Sequence, residues 1–141
     1  MNRRLSMVVL ATFLFHSFVD AAQQKKPWTF LIYIAGANSL SSFVEFDLGE
    51  MMRIGSNGNV NVLAYVTTYD NGQLKKTQKL FVEKGSVVEI GSTQAQDSGS
   101  VDTLKDALAW ACREYPSDRI AVVLWNHGSG ILNPVMRSAE M

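Results

Sequence analysis

Apolar and polar positions along this chain alternate between two periods. Trp28-Thr29-Phe30-Leu31-Ile32-Tyr33-Ile34-Ala35 is almost continuously apolar and rich in β-favouring side chains, which suits a strand covered on both faces. Gly36-Ala37-Asn38-Ser39 breaks it. From about Ser41 the spacing becomes helical, and Phe43, Phe46, Leu48, Met51, Met52 and Ile54 are expected to share a broad buried face. Glu45, Asp47 and Glu50 are expected on the solvated side. Gly55-Ser56-Asn57-Gly58-Asn59 ends that helix. Val60 to Thr68 reads as a second strand, and Asp70-Asn71-Gly72 as a hairpin turn leading into a third over Leu74 to Val82. Lys75, Lys76 and Lys79 mark the third strand as solvated. A short fourth strand, Ser86 to Ile90, follows the Lys84-Gly85 turn.

Gly91 to Gly99 is a loop of small polar residues. Ser100 is placed to cap a helix reaching Tyr115, with Asp102 and Asp106 in its early turns. Val101, Leu104, Leu108, Ala111, Cys112 and Tyr115 are expected on its buried face. Pro116-Ser117-Asp118 stops the helix, and Arg119 to Trp125 is the last strand. Strands interleaved with helices in this order predict an α/β fold, a mostly parallel sheet with helices on its faces plus a β-hairpin. A doubly wound core of this kind usually has more strands and helices, so the domain reads as cut short.

Composition changes this picture at one end only. Arg3 and Arg4, the apolar run Leu5 to Val19, and small residues near Ala21-Ala22 give residues 1–22 the layout of a secretory signal peptide. An uncleaved membrane anchor is the rival, though the run is short of the roughly 20 residues that span a bilayer. Residues 23–27 form a polar lead-in. Removing Arg3, Arg4 and Asp20 with the leader takes the 13 basic and 13 acidic residues to 11 and 12, a net charge of −1. No basic stripe marks a nucleic-acid partner, and no other run is long enough to cross a membrane. Export leads to a secreted or periplasmic location. With Cys112 the sole cysteine, no internal disulfide can form.

The candidate chemistry gathers where the last strand ends, at Asn126-His127-Gly128. Beyond the carboxyl ends of parallel strands an open α/β sheet collects its ligands, and an imidazole there can move protons near neutral pH. The Gly128 N–H can approach a developing oxyanion closely. A loop histidine bonded to nearby backbone is the plainer reading. Cys112 is not expected to be its partner, because it falls late in a helix, on the apolar face, where a thiolate is disfavoured. Ser39 and Ser129 lie in loops with no Gly-x-Ser-x-Gly elbow around them. Gly36-Ala37-Asn38-Ser39 lacks the dinucleotide glycine pattern and reads as a strand-to-helix connection. Asp70 and Asp97 read as turn and loop residues.

Trp28–Ala35, the Asn38 loop, Asp102-Thr103-Leu104 leading to Trp110, Tyr115-Pro116-Ser117-Asp118-Arg119, and Ala121 to Trp125 followed by Asn126-His127-Gly128 resemble the amino-terminal part of clostripain-like cysteine peptidases. The resemblance covers about residues 28–130 and leaves 131–141 as a tail. It implies a caspase- and gingipain-like three-layer α/β/α sandwich, ending before the strand that carries the nucleophile. It also implies catalytic roles for His127 and, through its N–H, Gly128. Members use a His/Cys pair and commonly cleave after Arg or Lys. Their nucleophilic cysteine follows the next core strand, downstream of the histidine, so no residue of this sequence inherits its role. Ala37-Asn38 departs from the Asp-Asn of many relatives.

The resemblance thus implies the histidine-bearing portion of a secreted cysteine endopeptidase, inactive alone, acting on a protein or peptide substrate. A second chain carrying the cysteine is one way to complete it. The alternative is a non-catalytic secreted module that binds a peptide or protein, and a nucleotide-binding α/β domain is a more distant reading. No cofactor is evident. Relatives can depend on calcium, but no Asp/Glu-rich oxygen cage is visible to which a site can be assigned.

Overall fold

A computed structural model describes residues 25–70 and 73–128. The leader expected at 1–22, the Asn71-Gly72 turn, Ser129 and the tail lie outside them. Five strands are ordered β1 (Lys26–Gly36), β2 (Val60–Asp70), β3 (Gln73–Glu83), β4 (Ser86–Thr93) and β5 (Ser117–Trp125). A 3-10 turn, Ser41–Phe43, leads into helix α1 (Val44–Ile54), and α2 (Val101–Glu114) precedes β5. Every predicted element is present. β4 runs three residues further than expected and β5 starts two residues earlier.

The strands form one mixed sheet in the order β4-β3-β2-β1-β5. β1 pairs in parallel with β2 and with β5, whereas β2–β3 and β3–β4 are antiparallel. The parallel core is therefore three strands wide, with a hairpin arm on one flank. The alternation of β1 supplies both faces of the core, since successive side chains point to opposite sides. Leu31, Tyr33 and Ala35 meet Leu63, Tyr65, Ala107, Trp110, Ala111 and Tyr115 beneath α2. Ile32 and Ile34 meet Val44, Ala64, Val66, Leu80 and Val82 on the α1 side. Helix, sheet and helix make three layers, the expected α/β/α sandwich.

Both helices seat part of the face expected of them, Leu48, Met51 and Met52 in α1 and Leu104, Leu108, Ala111 and Tyr115 around α2, and turn the rest outward. In α1 the seated residues are Val44, Leu48, Met51 and Met52, a narrow stripe at four-, three- and one-residue steps. Phe43, Phe46 and Ile54 are exposed instead. Their spacing admitted a wide face, but one helix on a sheet seats only about a third of its circumference. In α2 the buried residues are Thr103, Ala107, Trp110 and Ala111. Trp110 decides the rotation: its large ring packs against Tyr65 and Tyr115, at centroid distances of 6.2 and 5.8 Å. That turns Val101 and Cys112 outward. Cys112 is a free, exposed thiol rather than the buried one the pattern suggested. Lys79, read as solvated, lies over the Trp110 ring at 5.7 Å.

The loop between β4 and α2 is tied to the sheet by side-chain hydroxyls. Tyr33 Oη donates to the Ser98 carbonyl at 2.9 Å, and the Gln96 amide donates to Thr77 Oγ1 at 3.0 Å. Ser100 then caps α2, accepting from the Asp102 amide at 3.2 Å. Burial, reinforced by Tyr65 and Asp97, pushes the Tyr33 phenol up to about 12. Gly55 closes α1 at φ 62°, ψ −176°, a conformation open essentially to glycine alone. A β-carbon there would stand 2.2 Å from the Lys84 amide nitrogen.

The outer side of β5 is an open sheet edge among the described residues, and it is apolar on both faces. Ile120, Val122, Val123 and Leu124 are all exposed, Leu124 by 66%. No described helix is long and apolar enough to cross a membrane.

Two stability predictions follow from these contacts. Gly55→Ala combines a forbidden backbone region with a backbone clash and should cost roughly 2–4 kcal/mol, read as a lowered melting temperature; an unchanged melt would contradict the packing of α1 on the β3–β4 turn. The folded protein keeps the Tyr33 proton over a range where the unfolded chain loses it. Stability from this group is therefore full below pH 10 and falls between about pH 10 and 12. Tyr33→Phe should flatten that alkaline decline; melts across this range check it.

Candidate active site

The strand order reverses at β1: β2 lies on one side of it and β5 on the other. Such a reversal opens a crevice beyond the carboxyl ends of the strands. Because Ile34 of β1 is in register with Trp125 of β5, the loops that leave these two strands emerge side by side. One carries Ala37-Asn38-Ser39-Leu40, the other Asn126-His127-Gly128.

Asn38 joins the two loops. Its Nδ2 donates to the Ala35 carbonyl at 2.8 Å and to Asn126 Oδ1 at 2.9 Å. Its Oδ1 accepts from the Leu40 amide at 2.8 Å. Asn126 Oδ1 in turn accepts from the His127 amide at 2.7 Å. A single carboxamide thus fixes the turn after β1 and, through Asn126, the backbone of His127. Ser39 reaches the ring itself, with Oγ 2.9 Å from Nε2. Trp125, the last residue of β5, donates from Nε1 to Asp47 Oδ2 at 2.6 Å and packs into the α1-side core. Asp47 is therefore a strut between α1 and β5, not the solvated residue its neighbours suggested.

His127 and Gly128 are both exposed at the mouth of this crevice. Gly128 has no steric reason to be glycine here, since a β-carbon would meet nothing within 4 Å. Cys112 stands elsewhere. It lines a small hollow with Tyr115, Pro116, Ser117 and Ile120, at the opposite end of β5. Eight steps of about 3.3 Å put the two ends of that strand roughly 26 Å apart. No thiolate at Cys112 can reach a carbonyl beside His127. Beside Asn126, an apolar hollow of about 240 Å³ runs between β5 and the loop before α2, lined by Tyr33, Ser98, Val101, Leu104 and Leu124.

The loop after β1, read from sequence as a simple connection, holds the partners of His127. Ser39, Asn38 and Asp47 were not legible as site residues because their contacts span 78 to 88 positions. The one available signal was that the Asn38 loop and the His127 loop follow adjacent strands. Among the described residues no three His, Cys, Asp or Glu side chains cluster to hold a metal.

Comparison with known proteins agrees with this architecture. A Bacteroides fragilis cysteine protease superposes with a TM-score of 0.63 at 27% identity, over 75% of this chain and 92% of that one. A secreted C11 cysteine protease from Bacteroides thetaiotaomicron, solved with an irreversible peptide inhibitor, gives 0.61 at 37% identity. There the match covers 74% of this chain but only 30% of the other. A clostripain from the same organism, bound to a peptide inhibitor, shares the fold at 14% identity and a TM-score of 0.59, over 77% of this chain and 96% of that one. No curated protein matches. The Clostripain family model matches residues 32–139, well over half of the sequence. The chain belongs to the clostripain family of cysteine peptidases.

Proposed function

We propose that this chain is the histidine-bearing portion of a secreted cysteine endopeptidase that cleaves after Arg or Lys and is inactive by itself. The observation that carries this reading is the place of His127: at the carboxyl end of β5, beside the strand-order reversal, accessible and gripped by the neighbouring loop. The roughly 26 Å between it and the end of β5 where Cys112 lies supports a nucleophile supplied from outside this sequence. A segment continuing the sheet along the open edge of β5 is the simplest source, because a strand laid there would bring its carboxyl end beside His127. Whether that segment shares this polypeptide or belongs to a second chain, the chemistry is the same. The match takes in 92% of the B. fragilis protease chain, which supports reading this chain as a portion of a cysteine protease. The leader-like residues 1–22 and the secreted relative support export.

In the completed site the thiolate attacks the scissile carbonyl carbon, and the carbonyl electron pair moves onto oxygen. The Gly128 N–H serves as one donor to that oxyanion. Collapse expels the amine, which takes a proton from the His127 imidazolium and leaves a thioester. His127 then draws a proton from the water that hydrolyses it. The peptide-inhibitor complexes of the relatives support a peptide as substrate.

Arginyl and lysyl coumarin reporter peptides test the reading. The chain alone should release no fluorophore above background. Joined by the cysteine-bearing segment it should cleave them, and His127→Ala should lower kcat/KM by about 10²–10⁴-fold without changing the melt. Hydrolysis by the chain alone would contradict its inactivity. An assembled protein indifferent to His127→Ala, or binding peptides without cleaving them, would favour a non-catalytic peptide-binding module.

A further inference from the structure

The proposed mechanism gives His127 a proton to carry but leaves open how an exposed ring keeps its direction. An imidazole on a surface loop rotates freely about χ1 and χ2, and a catalytic base is ordinarily oriented by a third group. Here adjacent residues of one loop grip the histidine at two levels. Asn38, through Asn126 Oδ1, holds its backbone amide. Ser39 Oγ stands 2.9 Å from Nε2 of the ring. Asn38 is itself held at both ends of its carboxamide, so the turn that presents Ser39 is fixed by its own backbone contacts.

We propose that Ser39 is a positioning residue for His127: its hydroxyl accepts a hydrogen bond from Nε2–H and leaves Nδ1 as the nitrogen that exchanges protons with substrate. This inference rests on the peptidase reading for its purpose but not for its geometry. A hydroxyl is suited to the task because it rotates to match its partner. It can accept from Nε2–H both in the imidazolium and in the neutral Nε2–H tautomer, so the ring keeps one orientation while the Nδ1 proton comes and goes. A carboxylate in the same place would bias the ring toward its charged form; a hydroxyl orients it without that bias. The Ser–His pair is also the first half of a serine nucleophile arrangement. Against that role, Ser39 lies on a strand-to-helix turn without the flanking glycines of a nucleophile elbow, in a family whose members are cysteine peptidases.

Histidine-selective ¹⁵N labelling reads the ring directly, in the chain alone or in its assembly. The sequence has two histidines, His16 and His127, and His127→Gln assigns the signals. The Nε2–H proton of His127 should give an observable correlation, and Ser39→Ala should speed its exchange roughly fivefold, the worth of one net hydrogen bond. Ser39→Thr keeps the hydroxyl and should restore the slow exchange, which a merely structural loop residue would not do. Equal exchange in Ser39→Ala and the native chain overturns the proposal. So does covalent labelling of Ser39 by a fluorophosphonate, which would make it a nucleophile. If Ser39→Ala leaves the ring unchanged while His127→Ala abolishes peptide hydrolysis, only the positioning claim falls. If the ring responds to Ser39 but hydrolysis ignores His127, only the peptidase reading falls.

Discussion

The parallel pairing of β1 with β5 is the constraint on which the rest of the molecule depends. These strands are separated by most of the chain, yet they run in register from Lys26–Ser117 to Ile34–Trp125. A one-residue slip would send every side chain of β5 to the opposite face. Trp125 would then leave the α1-side core and its bond to Asp47, and Val122 would leave the α2 side. The same register brings the loops after β1 and β5 together. Asn38 can bridge to Asn126, and Ser39 can touch His127, because this register sets the two loops side by side.

The two faces of β1 show why that register is secure. On one side Tyr33 stacks on Tyr65 at 5.8 Å and Trp110 closes over Tyr65, so the α2 layer is anchored by aromatic rings. On the other side Ile32 and Ile34 are covered by α1 and the hairpin residues Leu80 and Val82. β1 is thus central and buried, while β5, its partner, is open along its outer edge among the described residues, with exposed Ile120, Val122, Val123 and Leu124. Exposed apolar edges invite pairing. The strand that leads to His127 is therefore one with an apolar edge left to cover. On the proposed reading, assembly of the sheet and assembly of the catalytic pair become one event.

Much of this was legible in the sequence, for identifiable reasons. The continuous apolar run at Trp28–Ala35 announced a buried parallel strand, the run at Ala121–Trp125 announced a parallel strand that proves exposed among the described residues, and the change of period at Ser41 and Ser100 announced the helices. The strand-to-loop junction at Asn126-His127-Gly128 pointed to the site. The limits of each helix's buried stripe were not legible, since two overlapping stripes fit the same three- and four-residue steps. Trp110 settled α2 by its size, and in doing so moved Cys112 into solvent. The partners of His127 were equally hidden. Asn38 and Ser39 look like ordinary turn residues until β5 is laid beside β1. Asp47 looks like any acidic residue at a helix start until Trp125 reaches it.

Hydrogen exchange along β5 tests most directly whether this edge is where the peptidase is completed. In the chain alone, the β5 amides that bond to β1 should be protected and the outward ones should exchange as an open edge does. On joining the cysteine-bearing segment, the outward amides from Ile120 to Leu124 should become protected together, along with slower exchange in the His127 loop. Protection confined to β4 or α2, with the outer amides of β5 still exchanging freely, would contradict the account.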